Sequence, residues 1–178
     1  MTEEEQNSMN GGSRSGTARR IITWVAIILV GTVAIILLLG LIPVSTGNLE
    51  SEPNPVAGYD EAIRQFEAVQ QAEAPIVNDA SGSLLMTHGD KTEQVYVLIH
   101  GTTNSPRQWE ELGTTLHKQG HNVLILRMPY HGLASHDVSE LKALRAEDLR
   151  DYADEAIDLA SGLGDQITAI GISGGAPH

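Results

Sequence analysis

The chain of 178 residues contains no cysteine. Disulfide bonds, zinc–thiolate centres and cysteine nucleophiles are therefore excluded, and no other residue cluster indicates a metal or a cofactor. Basic residues are scarce as well: 11 Lys and Arg stand against 23 Asp and Glu, which gives a formal net charge of −12. Because binding a phosphate backbone needs a basic surface, nucleic acid is not an expected partner.

The motifs of nucleotide binding are also missing. After the first long predicted strand the sequence reads His100-Gly101-Thr102-Thr103-Asn104, which lacks the G-x-G-x-x-G of dinucleotide sites, and no G-x-x-x-x-G-K-[ST] is present. Internal repeats and long low-complexity tracts are absent. The length fits one domain with additional segments, and nothing in the sequence indicates an oligomeric state.

One long uncharged run changes the expected class from soluble to membrane-attached. Residues 21–42 read IITWVAIILVGTVAIILLLGLI, and these 22 residues match the roughly 20 that a helix needs to cross a bilayer. A buried core helix is one alternative, although such helices are seldom apolar all round. A cleaved signal peptide is another, but its apolar region is shorter and Pro43 to Gly47 match an A-x-A cleavage site poorly. We expect an uncleaved, single-pass anchor.

The flanking charges predict the orientation of this anchor. Arg14, Arg19 and Arg20 precede the run, and the next basic residue is Arg64. The positive-inside rule places the N-terminus in the cytoplasm and the residues after the run outside it. These later residues hold 8 basic and 20 acidic side chains, so they are not attracted to anionic lipid headgroups and the helix alone would hold the protein.

The remaining pattern predicts an α/β domain. Residues 1–20 have no apolar periodicity and are expected to form a disordered cytoplasmic tail. Residues 43–58 are expected to form a linker rich in proline and glycine, and residues 59–178 the folded domain. Strands and helices alternate there, which is typical of a mostly parallel sheet with helices on both faces. The expected helices are 59–73, 106–119 and 145–162, and the expected strands are 84–86, 95–99, 122–128 and 167–172.

The last predicted strand runs into a motif that carries chemistry, the G-x-S-x-G of residues 171–175. In a nucleophile elbow the serine occupies a sharp strand-to-helix turn, and its neighbours must be small. The N–H of Gly174 would then face a developing oxyanion. The same five residues could also form an ordinary glycine-rich turn, in which Ser173 has no chemical role.

A second loop favours the elbow. Gly101 and Thr102 directly follow the buried strand 95–99, where a second oxyanion donor is expected. Parallel strands end at the same edge of the sheet, which is where open α/β sheets bind ligands. The two loops together therefore predict one active site.

Residues 95–175 resemble the N-terminal half of an α/β-hydrolase, in particular the branch of carboxylesterases, monoacylglycerol lipases and serine aminopeptidases. The matching segments are VYVLIHGTTNSPRQWEELGTTLHKQGHNVLILRMPYHG and AEDLRDYADEAIDLASGLGDQITAIGISGG. The resemblance implies that Ser173 is the nucleophile and that the backbone N–H groups of Thr102 and Gly174 form the oxyanion hole. It implies that His100 shapes its loop without titrating in the reaction, and we interpret His131 as structural.

The rest of the triad is absent from the chain. In this fold an Asp or Glu and then a His follow the serine, but only His178 follows Ser173. A serine without a base is a weak nucleophile. The sequence therefore predicts a truncated or frame-shifted form of a longer hydrolase, ending after the elbow with its last strand exposed at the edge of the sheet.

Two functions remain open at this point. The first is a membrane-anchored serine hydrolase that acts on carboxylic esters through an acyl-enzyme on Ser173, inactive in this truncated form. The second is a non-catalytic, membrane-anchored, hydrolase-like binding module. An ester, a monoacylglycerol, a lysophospholipid or a peptide amide would all fit the motifs, so the expected partner is a small ester or lipid-like molecule.

Overall fold

The computed structural model describes residues 3–41 and 49–175, with side chains from residue 16 onward. The chain divides into two units, Met1–Thr46 and Gly47–His178. The first unit is a single helix, and the second is an α/β domain.

Helix α1 spans Glu3–Gly40, and its side chains from residue 16 onward are all exposed. Its segment Gly16–Gly40 is long and apolar enough to cross a membrane, by length and composition. The hydroxyls of Thr23 and Thr32 donate to the carbonyls four residues earlier, at 2.9 Å, so both are satisfied inside the helix.

The predicted disordered tail is helical in the structure from residue 3 to residue 20. Extending an existing helix by one residue costs far less than nucleating a new one, because each added residue gains a hydrogen bond. The apolar segment therefore provides a nucleus from which the polar residues continue the helix. Residues 42–48, which include the end of the predicted anchor and the start of the predicted linker, lie outside the described residues.

The α/β domain alternates strands and helices as its sequence predicts. Strand β1 and the longer strand β2 follow helix α2, and strand β4 leads into the candidate elbow. Short 3₁₀ turns precede helix α3 and helix α4. The bounds are α2 Tyr59–Glu73, β1 Leu84–Met86, β2 Thr92–Ile99, α3 Glu110–Lys118, β3 Asn122–Ile125, α4 Ala146–Leu163 and β4 Gly164–Gly171, with 3₁₀ turns at Pro106–Trp109, Val138–Ala143 and Ser173–Gly175.

The four strands form one mixed sheet in the order β1-β3-β2-β4. Strand β2 is parallel to both β3 and β4, and β1 is antiparallel to β3. Most of the sheet is therefore parallel, and helices cover both faces, as the alternation of elements predicts. Within the described residues β4 lies at one edge of the sheet, with only β2 beside it.

Successive side chains of β2 are buried on opposite faces of the sheet. Val95 and Val97 pack against helices α2 and α4, whereas Leu98 packs on the opposite face with Val123 and Ile125. This alternation follows from the two-residue period of a strand and explains why β2 is apolar on both faces. Side chains therefore pack against both faces of the sheet, and the loops begin at the ends of these packed strands.

The second half of the predicted linker is not a free spacer. Val56 is buried, and its N–H donates to the carbonyl of Asp158 at 3.1 Å. The N–H groups of Glu52 and Asn54 donate at 2.9 Å to the carboxylates of Asp154 and Asp158 on helix α4. Residues 51–56 therefore belong to the folded domain, because acidic side chains of α4 bind their backbone.

Two helices bury only some of their apolar positions. Leu112 is 36% exposed and Thr115 is exposed, and the fully buried residue of α3 is Gly113, which lies against Met86 and Ile125. On α4, Ile157 is 41% exposed, while Leu159 is buried. The packing partners of each helix decide which of its apolar positions faces inward.

Candidate active site

Two loops meet at the C-terminal edge of the sheet. Strand β2 ends at Ile99 and strand β4 ends at Gly171, and these two residues are paired in register. One residue further on, the N–H of Ile172 donates to the carbonyl of Ile99 at 3.3 Å. The loops that follow, residues 100–104 and 172–175, therefore start side by side.

Ser173 has the backbone geometry that an elbow requires. Its φ is +55°, in the left-handed region that side chains disfavour, and a short 3₁₀ turn begins at this residue. A Cβ on Gly175 would lie 2.6 Å from the carbonyl oxygen of His100 and 2.8 Å from that of Ile99. Because backbone atoms cannot yield as a flexible side chain can, the turn can lie this close to β2 only if residue 175 is glycine.

The three predicted site residues are brought together by these loops. A Cβ on Gly174 would lie 2.3 Å from Cγ2 of Thr102, so the two residues are in direct contact. A Cβ on Gly101 would lie 3.6 Å from Cβ of Ser173. The loop of residues 101–104, which we call the oxyanion loop after its predicted role, therefore borders the serine at Gly101.

His100 is completely buried directly before the oxyanion loop. Its Nε2 accepts a 3.0 Å hydrogen bond from the N–H of Met128, so the ring proton lies on Nδ1, which is 2.9 Å from the carbonyl oxygen of Gly101. Burial, with a smaller contribution from the nearby His131 and Arg127, lowers the pKa of His100 to about 4, although its hydrogen bond to Gly101 acts in the opposite direction. His100 is therefore neutral near pH 7 and holds a fixed tautomer.

This tautomer orients the candidate oxyanion donor. The carbonyl of Gly101 and the N–H of Thr102 belong to one planar trans peptide and point in opposite directions. The carbonyl is held by His100 and by the N–H of Asn104, at 3.0 Å. The side-chain oxygen of Gln108 accepts from the N–H of Gly101, also at 3.0 Å. The N–H of Thr102 is therefore fixed before any substrate arrives.

His131 ties the oxyanion loop to the loop that follows β3. It is buried, and its Nε2 lies 2.9 Å from the carbonyl oxygen of Thr102 while its Nδ1 lies 2.8 Å from that of Pro129. The contact with Thr102 joins residues 29 positions apart, so the sequence could indicate a structural His131 but not its partner.

The proton acceptor of a serine hydrolase is not found in the described part of the chain. No histidine or carboxylate there hydrogen-bonds to Oγ of Ser173, and His178 lies outside the described residues. Nor do these residues contain a group of three or more His, Cys, Asp or Glu that could hold a metal ion. The described residues thus place a serine in a tight turn beside Thr102.

A large cleft lies elsewhere, between α2 and α4. It measures about 710 Å³, and among its lining residues Arg127 is the one basic side chain beside seven carboxylates. Nε of Arg127 lies 3.0 Å from Oε1 of Glu73, and both side chains are about nine-tenths buried. Burial, and secondarily the charge of Glu73, raises the pKa of Glu155 at this cleft. Ser173 does not line it, so this cleft is separate from the candidate site.

Comparison with known proteins gives a partial likeness to solved structures. No family model and no curated protein matches the chain. A solved structure reported under the description of LipS and LipT, two metagenome-derived lipolytic enzymes, is similar to it with 24% identity and a TM-score of 0.47. The match covers 56% of this chain and 38% of that chain, so this chain spans well under half of the enzyme's length. At these values the likeness supports no conclusion about activity.

Proposed function

We propose that the domain is the nucleophile-bearing part of a serine hydrolase that acts on carboxylic esters. One observation carries this proposal: Ser173 has a positive φ in a turn that lies against Thr102, beside the next strand of the sheet. Positive φ at a non-glycine residue is costly and is concentrated at functional sites. An ordinary glycine-rich turn would place one of its glycines, and not its serine, at that position.

The proposed reaction follows from the positions of these groups. Oγ of Ser173 attacks the ester carbonyl carbon while its proton passes to an imidazole base, and the carbonyl oxygen gains a negative charge. The N–H groups of Thr102 and Gly174 stabilise this charge, which is usually the largest single contribution to such catalysis. The alkoxide leaves with the proton from the base, and water then cleaves the acyl-enzyme to the acid.

The experiment measures hydrolysis of p-nitrophenyl butyrate by the full chain in detergent micelles, with and without added imidazole. We expect imidazole to accelerate the wild-type chain, because it supplies the proton acceptor that no described residue offers to Ser173. The variant Ser173→Ala should lose this acceleration. Ser161→Ala is the matched control, since its hydroxyl bonds within helix α4. Equal rates for wild type and Ser173→Ala would overturn the proposal.

A second function is favoured by the missing base. Because no base touches Ser173 among the described residues, the site could bind a carbonyl or carboxylate ligand at its two N–H groups without turning it over. The protein would then be an anchored binding module. Ligand binding that survives Ser173→Ala, without any serine-dependent hydrolysis in imidazole, would distinguish this function from the hydrolase.

We also propose that helix α1 is a single-pass anchor, with the N-terminus in the cytoplasm and the domain outside it. The exposed apolar segment Gly16–Gly40 and the arginines that precede residues 21–42 support this. The full chain should stay with membranes during alkaline carbonate extraction and keep its N-terminus. Protease added to intact cells should reach the domain but not an N-terminal tag. Release of the domain with a new N-terminus near residue 43 would indicate a cleaved signal peptide.

A further inference from the structure

A small pocket lies against the oxyanion loop on the side of the loop that follows β3. Thr102, Thr103 and Asn104 form one wall, and residues 130–141 form much of the rest. Its volume is about 220 Å³, smaller than the roughly 300–1,000 Å³ of pockets that hold drug-sized ligands. The pocket therefore begins at the residue that carries a candidate oxyanion donor, and it has room for a small group only.

The apolar lining comes from one segment. Tyr130, Leu133, Val138 and Leu141 contribute its large apolar side chains. The polar lining residues include Asn78 and Asp137, and hydrogen bonds from Ser139 lower the pKa of Asp137 and keep it ionised. A short hydrocarbon chain fits this lining, because the apolar side chains enclose a volume of only about 220 Å³.

The backbone of the lining segment is held in unusual conformations. Tyr130 has φ of +62° and His136 has φ of +54°, and Ser173 is the third non-glycine residue with positive φ in the described chain. Asn78 holds this segment in place. Its backbone N–H and its side-chain amide both donate to the carbonyl of Gly132, at 3.0 and 2.8 Å. Strain of this kind persists only where surrounding contacts enforce it, and it clusters at binding and catalytic sites.

We infer that this pocket binds the acyl chain of a short-chain ester whose carbonyl lies at Ser173. The inference rests on the proposed serine hydrolase, and it adds the class of substrate: an ester with a short acyl group. Thr102 connects the two sites, since its side chain contacts Gly174 and the same residue lines the pocket together with Leu141 and Val138.

Alkylboronic acids test this without needing turnover. Oγ of Ser173 adds to the trigonal boron, the serine proton passes to the solvent, and a tetrahedral boronate anion forms in the oxyanion hole. The alkyl group then occupies the position of the acyl chain. Boron NMR detects the tetrahedral species. The affinities are measured by titrating the full chain in micelles with methyl-, butyl- and dodecylboronic acid.

For wild type we expect butylboronic acid to bind about tenfold or more tightly than methylboronic acid, since each buried methylene contributes up to about fourfold. Dodecylboronic acid should gain nothing further. Val138→Trp, at a position 78% exposed in the native chain, should reduce the advantage of the butyl group to about twofold or less by occupying the pocket. Leu141→Ala should shift the preference toward the longer chain.

Leu112→Trp is the control, because this partly exposed leucine on α3 does not line the pocket. It should leave all three affinities unchanged. Serine-dependent boronate binding with the same chain-length profile in wild type, Val138→Trp and Leu141→Ala would overturn the pocket and leave the hydrolase standing. Boronate binding that is absent, or equal in wild type and Ser173→Ala, would overturn the hydrolase and the pocket with it.

Discussion

The backbone N–H of Met128 donates to Nε2 of the fully buried His100, and this bond leaves the ring proton on the nitrogen that faces Gly101. A residue that follows β3 thus determines the tautomer of a residue that follows β2. The peptide between Gly101 and Thr102 takes its direction from that tautomer. The candidate oxyanion hole is therefore oriented by two consecutive hydrogen bonds, from Met128 to His100 and from His100 to Gly101, and the serine makes neither of them.

The first prediction concerns the pH dependence of stability. His100 has a pKa of about 6.5 when unfolded and about 4 in the folded chain, so between these values only the unfolded chain binds the proton. The neutral ring therefore stabilises the folded chain fully above pH 6.5, and this stabilisation is lost as the pH falls toward 4. The free energy of unfolding falls by at most about 3 kcal/mol over this range. Urea unfolding of wild type and His100→Asn across this window measures it.

The variant should be less stable at neutral pH but should lose less stability on acidification. The other titrating groups, such as Glu155, whose pKa is raised by burial, are the same in both proteins, so the difference between the two curves isolates His100. Parallel curves would mean that the ring takes up its proton in the folded chain as readily as in the unfolded chain. Nitrogen NMR of the imidazole gives an independent reading, with the proton on Nδ1 throughout.

The second prediction concerns strain at Ser173. A side chain in the left-handed region costs about 1–2 kcal/mol relative to glycine. Ser173→Gly should therefore be more stable than Ser173→Ala by about this amount, although neither can form a serine adduct. At Ser161, inside helix α4, the order should reverse, with Gly less stable than Ala by about 1 kcal/mol. Thermal melting of the four variants measures both differences. If alanine were more stable than glycine at residue 173 as well as at residue 161, the backbone of Ser173 would not be strained.

The third prediction concerns the contact between Gly174 and Thr102. Alanine at residue 174 would force Cγ2 of Thr102 to move, and we expect a loss of about 1–3 kcal/mol together with weaker boronate binding. Thr102→Ser removes Cγ2 and should restore much of this loss in the double variant. A double-mutant cycle in stability and in boronate affinity measures the coupling, and additive effects would show that the two residues do not share this contact.

The fourth prediction concerns the ion pair of Glu73 and Arg127. Glu73→Gln leaves a buried guanidinium without its counter-charge, at a cost of about 3–5 kcal/mol. The exposed pair of Lys91 and Asp165 is the matched control, and Asp165→Asn should cost no more than about 1 kcal/mol. Urea unfolding of both variants makes the comparison. Similar losses in the two variants would mean that burial does not isolate Arg127 from solvent.

Local patterns predict much of this fold. Helix α2 has the bounds that its apolar spacing indicates, Tyr59–Glu73, because Gly58 and Pro75 punctuate it. The apolar core of β2 is equally visible, but its first residues are not. Thr92 to Gln94 are polar and resemble a turn, yet Thr92 pairs with Gly164. Their strand conformation comes from the neighbouring strand and not from their own composition.

The candidate site is also predictable from local sequence only in part. Ser173, Gly174 and Thr102 are indicated by their motifs, because a sharp turn after a strand needs small residues in a fixed order. Their contact with each other follows from parallel strands that end at one edge. The bond of His131 to Thr102 and the pocket lined by Val138 and Leu141 depend on how a long loop folds back, which no local spacing specifies.

The pairing of β2 with β4 also has a consequence for how the protein is made. Residues paired across these strands lie 72 positions apart, so during synthesis β2 must wait for the whole of β3 and α4 before β4 can join it. The two loops of the candidate site come together only when these strands have paired. A ligand that requires Ser173 and Thr102 together would recognise only chains that have completed it, and could serve as a reporter of folding on the ribosome.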